Sequence, residues 1–533
     1  MRPRIRPAAR STVRPAVAVA ACLALASACG GGTSAGQGKT GTVQSVPAAA
    51  SSDRDATFSW GYTIGATSLD PHRGTSGFDQ NWLYPVYDRL VYSAADGTLK
   101  PMLATSWETT DGGRALVMKL RENVKFQDGT PLDAAAVKKS LDRARDDDSV
   151  VKGELTMVKS VEVVDDHTVK LHVTGGIGAL IGSLTDRAGM IISPKAIDGG
   201  RLATEPVGAG PYKVVENRAG DRVAYERVDG YWDADAQRVK RMVFRVMGDD
   251  QTRLNALRTG ELNMALIRQN QVGSAQQMGM RVLAGESPTF YTFQVNAASK
   301  PFNDEKVRLA LNLAMDRKAI GDGLLEGFCT PQVQPWPATS WAYDKSVGDG
   351  LDKWPHDTAK AKSLLAEAGY PNGFSFKALA VNISGYSAIA EALQQQFAQV
   401  GVKMDLQIVE AAQAAKAFTI DKTADAAVLG YSPTPDPQGV LDRLLLPTAA
   451  QNPGKLATKT LVDLAGKAAA PADPAQRAPF YHQILADTIA HPPAATPICM
   501  QKRTEAFAPT VSGLAVYAGG ARDFRGVAVA KGE

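Results

Sequence analysis

Hydrophobic and polar positions switch repeatedly between two periods along this chain. Between Ser387 and Val400, the residues Ile389, Leu393, Phe397 and Val400 fall on one helical face. Gly401 can supply a left-handed stop, and Val402 to Leu406 then alternates as a half-buried strand. Asp357 is placed to cap a helix with Ala361, Leu364, Leu365 and Ala368 on one side and Gly369 at its end. Another helix starts near Asn303 or Asp304 and turns Val307, Leu311 and Ala314 inward. Strand-like alternation marks Ala115–Leu120, Ser160–Val164, Thr168–Val173 and Arg241–Val246. The pattern predicts an α/β protein, richer in strands from Phe58 to about Phe293 and more helical afterwards. Thr289–Val295 reads as a strand leading out of the first part and Ala495–Gln501 as one leading back. Two such crossings make a hinge, where a few residues absorb the backbone rotation.

The ends change how the composition is read. Residues 1–28 carry five arginines, an apolar stretch from Ala16 to Ala26 and the small residues Ala26-Ser27-Ala28 before Cys29. This is an export signal. Its apolar core is shorter than the roughly 20 residues a membrane-spanning helix needs. Small residues before a cysteine suit cleavage there with lipid attached to Cys29, although Ala26 stands where the lipoprotein pattern usually has leucine. From residue 29 to 56 the chain is mostly Gly, Ser, Thr, Ala and Gln, and a flexible tether is expected. About 475 residues follow Thr57, more than one hydrophobic core organises, so at least two lobes are expected. Removing the signal takes five arginines from 59 basic residues and leaves 54 against 55 acidic ones, so no nucleic-acid footprint survives. Cys22 leaves with the signal. If Cys29 is acylated, Cys329 and Cys499 remain; they can pair in an oxidising compartment or stand as two separate buried thiols.

A series of short motifs then appears in order. Tyr87 to Arg143 begins YDRLVY and contains Phe126-Gln127-Asp128-Gly129-Thr130-Pro131. Ser68-Leu69-Asp70-Pro71-His72 precedes it, and Val207-Gly208-Ala209-Gly210-Pro211-Tyr212, Asp229-Gly230-Tyr231-Trp232, Pro301-Phe302-Asn303-Asp304 and Pro435-Asp436-Pro437 follow. Singly these read as turns and close backbone approaches. Together they resemble the dipeptide/oligopeptide/nickel-binding branch, family 5, of the extracytoplasmic solute-binding proteins of ABC importers. Arg308, Asp316 and Arg317 read as solvated or paired surface charges.

The resemblance implies a two-lobed periplasmic-binding-protein-like fold, class II of the large cluster C type, with a hinge and an interlobe ligand cleft. The expected division is a signal over 1–28, a tether over 29–56, lobe I over 57–297 with an inserted subdomain at about 86–205, lobe II over 298–496, and a return to lobe I over 497–533. It further implies a protein that captures an oligopeptide or peptide-like organic solute and delivers it to ABC permease subunits. That protein would be a monomer at the outer face of the cytoplasmic membrane or in the periplasm, held by its lipid anchor alone, with no cofactor, metal or nucleic acid. Carried over by position, the ligand-binding candidates are Thr75, Ser76 and Phe78 on the first lobe, with Asn382, Tyr386, Tyr431, Ser432, Thr434 and Asp436 on the second. For the tyrosines, packing in the core or at the interface is an equally good reading.

Two departures bear on the cargo. Where many peptide binders carry an acid for the peptide ammonium, this chain has Thr434, which leaves Asp436 or another carboxylate to take that role. No lysine or arginine occurs between Lys377 and Lys403, where dipeptide binders place an arginine for the carboxylate, so dipeptide specificity is not expected. A carrier or sensor for a sugar-like solute or a chelate is the alternative. The six histidines show no ligand spacing. A secreted hydrolase is the other competing class, but the chain has no G-x-S-x-G, H-E-x-x-H or C-x-x-C motif.

Overall fold

The computed structural model describes residues 42–531 except Gly77, Ile383, Ala411, Ala412, Ala415, Ser432, Pro433, Pro435 and Ala518. The export signal, Cys29 and the first part of the expected tether lie outside the described residues.

One eleven-stranded mixed sheet runs through both lobes. Its order is Lys403–Val409, Ser375–Val381, Ala426–Tyr431, Arg281–Val295, Ala495–Phe507, Met264–Leu266, Thr57–Tyr62, Arg241–Val246, Arg222–Arg227, Tyr212–Arg218, with Cys329–Pro331 also on Ala495–Phe507. The two central strands are the expected crossings, and both are longer than the sequence pattern predicted. They pair antiparallel from Arg281↔Phe507 to Glu286↔Lys502 and again from Phe290↔Met500 to Gln294↔Ala495. Between these runs lies Pro288, which has no N–H to give a ladder. Upstream of the break the ribbon pairs with Met264–Leu266 of lobe I; downstream it pairs with Ala426–Tyr431 of lobe II. The change of partners therefore falls near residues 287–289 and 500–502, within the strands.

A separate antiparallel sheet, in the order Ala104–Thr110, Ala115–Leu120, Thr168–Val173, Val158–Asp165, forms the body of the inserted subdomain. Helix Ala134–Ala144 packs on it, capped by Asp133, whose carboxylate accepts from Ala136 N. Leu116, Met118, Val137, Leu141, Val169 and Leu171 close its core. Lobe I has its own aromatic core, in which Trp60 stacks on Tyr62 at 4.7 Å and meets Phe244 and Phe524 edge-on. In lobe II, helix Glu305–Ala314 follows the Asp304 cap and helix Thr358–Glu367 the Asp357 cap. Helix Ser384–Ala398 precedes the left-handed Gly401, with φ of 85°.

The motifs lock into one another. Gln127 donates from Nε2 to the carbonyls of Val86 and Tyr212 at 2.9 Å, and its Oε1 accepts from Gly208 N. A Cβ on Gly208 would lie 2.3 Å from Val86 O, and one on Gly210 2.5 Å from Val86 C, so only glycine fits where these backbones cross. Asp70 receives both Nη atoms of Arg143, at 2.9 and 2.5 Å, joining the first loop to the subdomain helix. Asp88 is fully buried and accepts from Tyr231 OH, Trp232 Nε1 and Arg525 Nη1. Burial raises its pKa, and these donors oppose the shift.

Two expectations need correction. The tether does not extend to residue 56. Val43 donates to Val282 O and accepts from Ala284 N, Ser45–Val46 pairs with Leu514–Ala515, and Asp53 N donates to Val529 O. Val282–Ala284 is a sheet edge left uncovered by the lobe II strands, and two valines suffice to dock a strap on it. Arg308 and Arg317 are buried, not surface charges. Arg308 donates to the carbonyls of Pro492 and Phe302, and Arg317 to those of Pro497 and Asn312. With no carboxylate opposite it, burial drives the Arg317 pKa down to about 9.

Candidate functional site

The two lobes meet around one small cavity, and a second, lined by lobe I alone, adjoins it through the shared Ser93 and Gly519. The first, about 40 Å³, is lined on the lobe II side by Trp336, Trp341, Tyr431, Thr434 and Asp436. The second, about 30 Å³, is lined by Tyr84, Arg89, Thr185, Asp186, Tyr517 and Asp523 of lobe I. Such volumes admit a few waters at most, so a larger guest enters only when the lobes separate. They are pressed together elsewhere as well. A Cβ on Gly182, in helix Ile177–Ser183 of the subdomain, would lie 2.6 Å from Asp436 Cβ, and one on Gly178 2.0 Å from Pro471 O.

The lobe II wall is aromatic, and its charges are satisfied internally. Tyr431 is buried, stacked on Phe290 at 4.9 Å, with its hydroxyl 3.1 Å from Thr434 Oγ1; burial pushes its phenol up to about 12. Thr434 donates back to Asp436 O. Both Asp436 carboxylate oxygens are held by Arg477, at 2.6 and 2.7 Å, while Arg477 also donates to Ala468 O and lies under the Trp341 ring. The acid left by the sequence pattern for a cargo ammonium is thus neutralised by an arginine 41 residues away.

The lobe I wall is different. Arg89 is 3% exposed, lies 4.2 Å over the Tyr84 ring and donates from Nη2 to Asp523 at 2.6 Å. Asp186 accepts from Gln80 Nε2 and Tyr84 OH. Arg89 directly follows Asp88 in the YDRL segment, and successive residues of extended backbone face opposite ways. Asp88 ties the lobe I loops together, and Arg89 lines the lobe I cavity that adjoins the interlobe one.

Of the residues proposed from sequence, Tyr431, Thr434 and Asp436 line the cavity. Thr75, Ser76, Phe78, Asn382 and Tyr386 do not line either one. Thr75 is exposed and Phe78 46% exposed, while Ser76 Oγ accepts from Phe78 N. Asn382 is exposed and donates to Glu410. Tyr386 packs edge-on to Tyr291 at 4.8 Å, and burial raises its pKa. Ser432 lies outside the described residues. Sequence reasoning missed Arg89, Asp186, Trp336, Trp341, Tyr517 and Asp523; for Trp336 the only local signal is the flanking Pro335 and Pro337. In lobe II, Cys329 and Cys499 form a disulfide with Cα atoms 5.4 Å apart, tying an edge strand to a crossing strand. Among the described residues, no group of His, Cys, Asp and Glu is arranged to hold a metal ion, and no helix is long and apolar enough to cross a membrane.

Residues 98–452 match the model of bacterial extracellular solute-binding proteins, family 5. The chain belongs to that family. It is also 34% identical over 369 residues to the glutathione-binding protein GsiB of Pectobacterium atrosepticum, covering 68% of this chain and 70% of that protein. HbpA2 from Haemophilus parasuis superposes with a TM-score of 0.77 at 26% identity, over 89% of this chain and 100% of that one. DppA from Helicobacter pylori, in complex with the peptide STSA, gives 0.74 at 23% identity over 90% and 98%. As a family 5 member the protein is the extracytoplasmic solute-binding component of an ABC importer. It holds a solute between two lobes and does no chemistry on it.

Proposed function

We propose that this solute-binding protein captures an oligopeptide or a peptide-like compound of similar size, and delivers it to the permease subunits of its importer while a lipid on Cys29 holds it at the outer face of the cytoplasmic membrane. The observation that carries the cargo reading is the pairing of an aromatic wall, Trp336, Trp341 and Tyr431, with a buried charged wall, Arg89, Asp186 and Asp523. Aromatic faces accept varied apolar side chains, and a few fixed polar groups orient the guest. Support also comes from GsiB, named for glutathione, and from the DppA complex with a tetrapeptide. Closure around such a guest converts binding energy into a shape the permease can read.

Native mass spectrometry of gently purified mature protein tests the reading, followed by calorimetry with glutathione, Ser-Thr-Ser-Ala and pentaalanine. A co-purified peptide-like mass, or saturable binding of at least one probe, is expected. A bound sugar or metal chelate, with no peptide binding, overturns it. Expression in cells with Cys29→Ser is expected to release the protein from the membrane; unchanged membrane retention sinks the anchor.

A further inference from the structure

The geometry points to Arg89 as the group that receives a carboxylate of the cargo. The inference rests on the peptide-like reading above and narrows it to guests carrying a free carboxylate. Among the described residues no arginine of lobe II lines either cavity: none lies between Lys377 and Lys403, and Arg477, behind Asp436, is engaged twice by Asp436 and once each by Ala468 and Tyr481. Arg89 stands apart from it. A guanidinium has five donors; in Arg89 one is bonded to Asp523, and the buried Nε has no hydrogen-bond partner. A buried donor left unmade is costly, and proteins keep one mainly where a ligand, ion or water completes it.

The surroundings fix the fork without saturating it. Tyr84 lies beneath the guanidinium and Tyr92 beside it, at 4.2 and 5.4 Å from ring centroids, which locks its plane. Asp523 contacts it through Oδ2 alone, while its Oδ1 accepts from Arg525 N. The ion pair is therefore monodentate, and donors remain for a second carboxylate in the planar geometry that arginine and carboxylate share. The other acid of this cavity, Asp186, is occupied by Gln80 and Tyr84, and it sits where a guest's cationic end can be balanced. A guest carboxylate on Arg89 bridges toward the Trp336–Tyr431 wall through Ser93 and Gly519, the residues shared by both cavities.

The experiment compares glutathione, Ser-Thr-Ser-Ala and pentaalanine with their amides on the mature protein, by calorimetry, glutathione as the diamide so that neither of its carboxylates remains. The tightest free acid is expected to bind about 10- to 100-fold better than its amide, the range for one charge-assisted hydrogen bond. In Arg89→Lys, which keeps the charge and loses the fork, that gap shrinks. In Arg89→Met/Asp523→Asn, which removes both charges so that none is left buried alone, acid and amide bind alike. The wild-type comparison needs no variant, so a misfolded variant leaves the test standing. If acid and amide bind wild type equally, or the gap persists in the double variant with its melting curve intact, the role of Arg89 is overturned and the carrier reading survives. If no probe binds wild type and no peptide-like mass co-purifies with it, both fall.

Discussion

The two walls of the cleft solve the problem of buried charge in opposite ways. On the lobe II side, Asp436 and Arg477 form a two-bond pair within one lobe, with Tyr481 and Ala468 completing the arginine, so the surface presented to a guest is aromatic. On the lobe I side, Arg89 and Asp523 share a single bond, and a buried nitrogen is left over. A saturated pair gives shape and stability, whereas an unsaturated one is available for recognition. The walls should therefore respond differently to substitution: lobe II in stability first, lobe I in selectivity first.

The largest effect is expected from breaking the saturated pair. Arg477→Met leaves the Asp436 carboxylate buried without a counter-charge, which costs about 3–5 kcal/mol. Asp436→Asn in the same chain should recover much of that loss, because both charges are then gone. Urea midpoints of wild type, the single variant and the double variant decide it. If the single variant is as stable as wild type, the pair is not the internal brace described above. Next comes the disulfide. Cys329→Ser/Cys499→Ser opens a link across 170 residues, all within or bordering lobe II, and a loss of about 2–5 kcal/mol is expected. Calorimetric unfolding should show lobe II melting earlier while the aromatic core of lobe I is unmoved; equal shifts of both would mean the lobes do not unfold independently.

A smaller effect separates recognition from folding. Trp336 packs edge-on against Tyr481 and donates from Nε1 to Pro437 O at 3.3 Å, so it belongs partly to the lobe II core. Trp336→Phe keeps most of that packing. We expect a melting point within a few degrees of wild type and a roughly tenfold loss of affinity for peptides with apolar side chains, about 1.4 kcal/mol, with the acid–amide gap unchanged. A narrowed gap would mean that the two walls do not divide the work.

What was legible in the sequence follows the range of the interaction. The helices after Asp304 and Asp357 and the stop at Gly401 were readable because caps and periodicity act within a turn or two. Tyr431, Thr434 and Asp436 reached the cavity because they sit in one contiguous motif. Arg89 belongs to a motif whose neighbouring Asp88 is structural, and nothing local distinguishes the two. The pairing of Asp436 with Arg477, and the burial of Arg308 and Arg317 against backbone carbonyls, depend on segments brought together only by the fold. A helical pattern scores such arginines as polar and turns them outward. The strap at Val43–Val46 was missed for the complementary reason: two valines do not make an amphipathic pattern, yet an open strand edge needs little more.

The last test concerns the seam itself. Glu154, in the short turn Lys152–Leu155 of the subdomain, faces Asp186 and Arg187 of its own lobe and Arg443 of lobe II. Burial, then repulsion from Asp186, pushes its carboxyl from 4.5 up to about 7, against the pull of the two arginines. A carboxyl whose pKa is raised in the folded, closed protein holds its proton there longer than in the unfolded chain. The closed form is thus favoured most below about 4.5 and loses that advantage as pH rises through about 7. Partial exposure of the side chain limits the effect to about 1 kcal/mol. Glu154→Gln should match wild type near the acid end of this window and exceed it above neutrality. Urea midpoints of both proteins across the window give the difference directly, cancelling every other titrating group. A flat difference would place Glu154 in solvent and leave closure independent of pH at this seam.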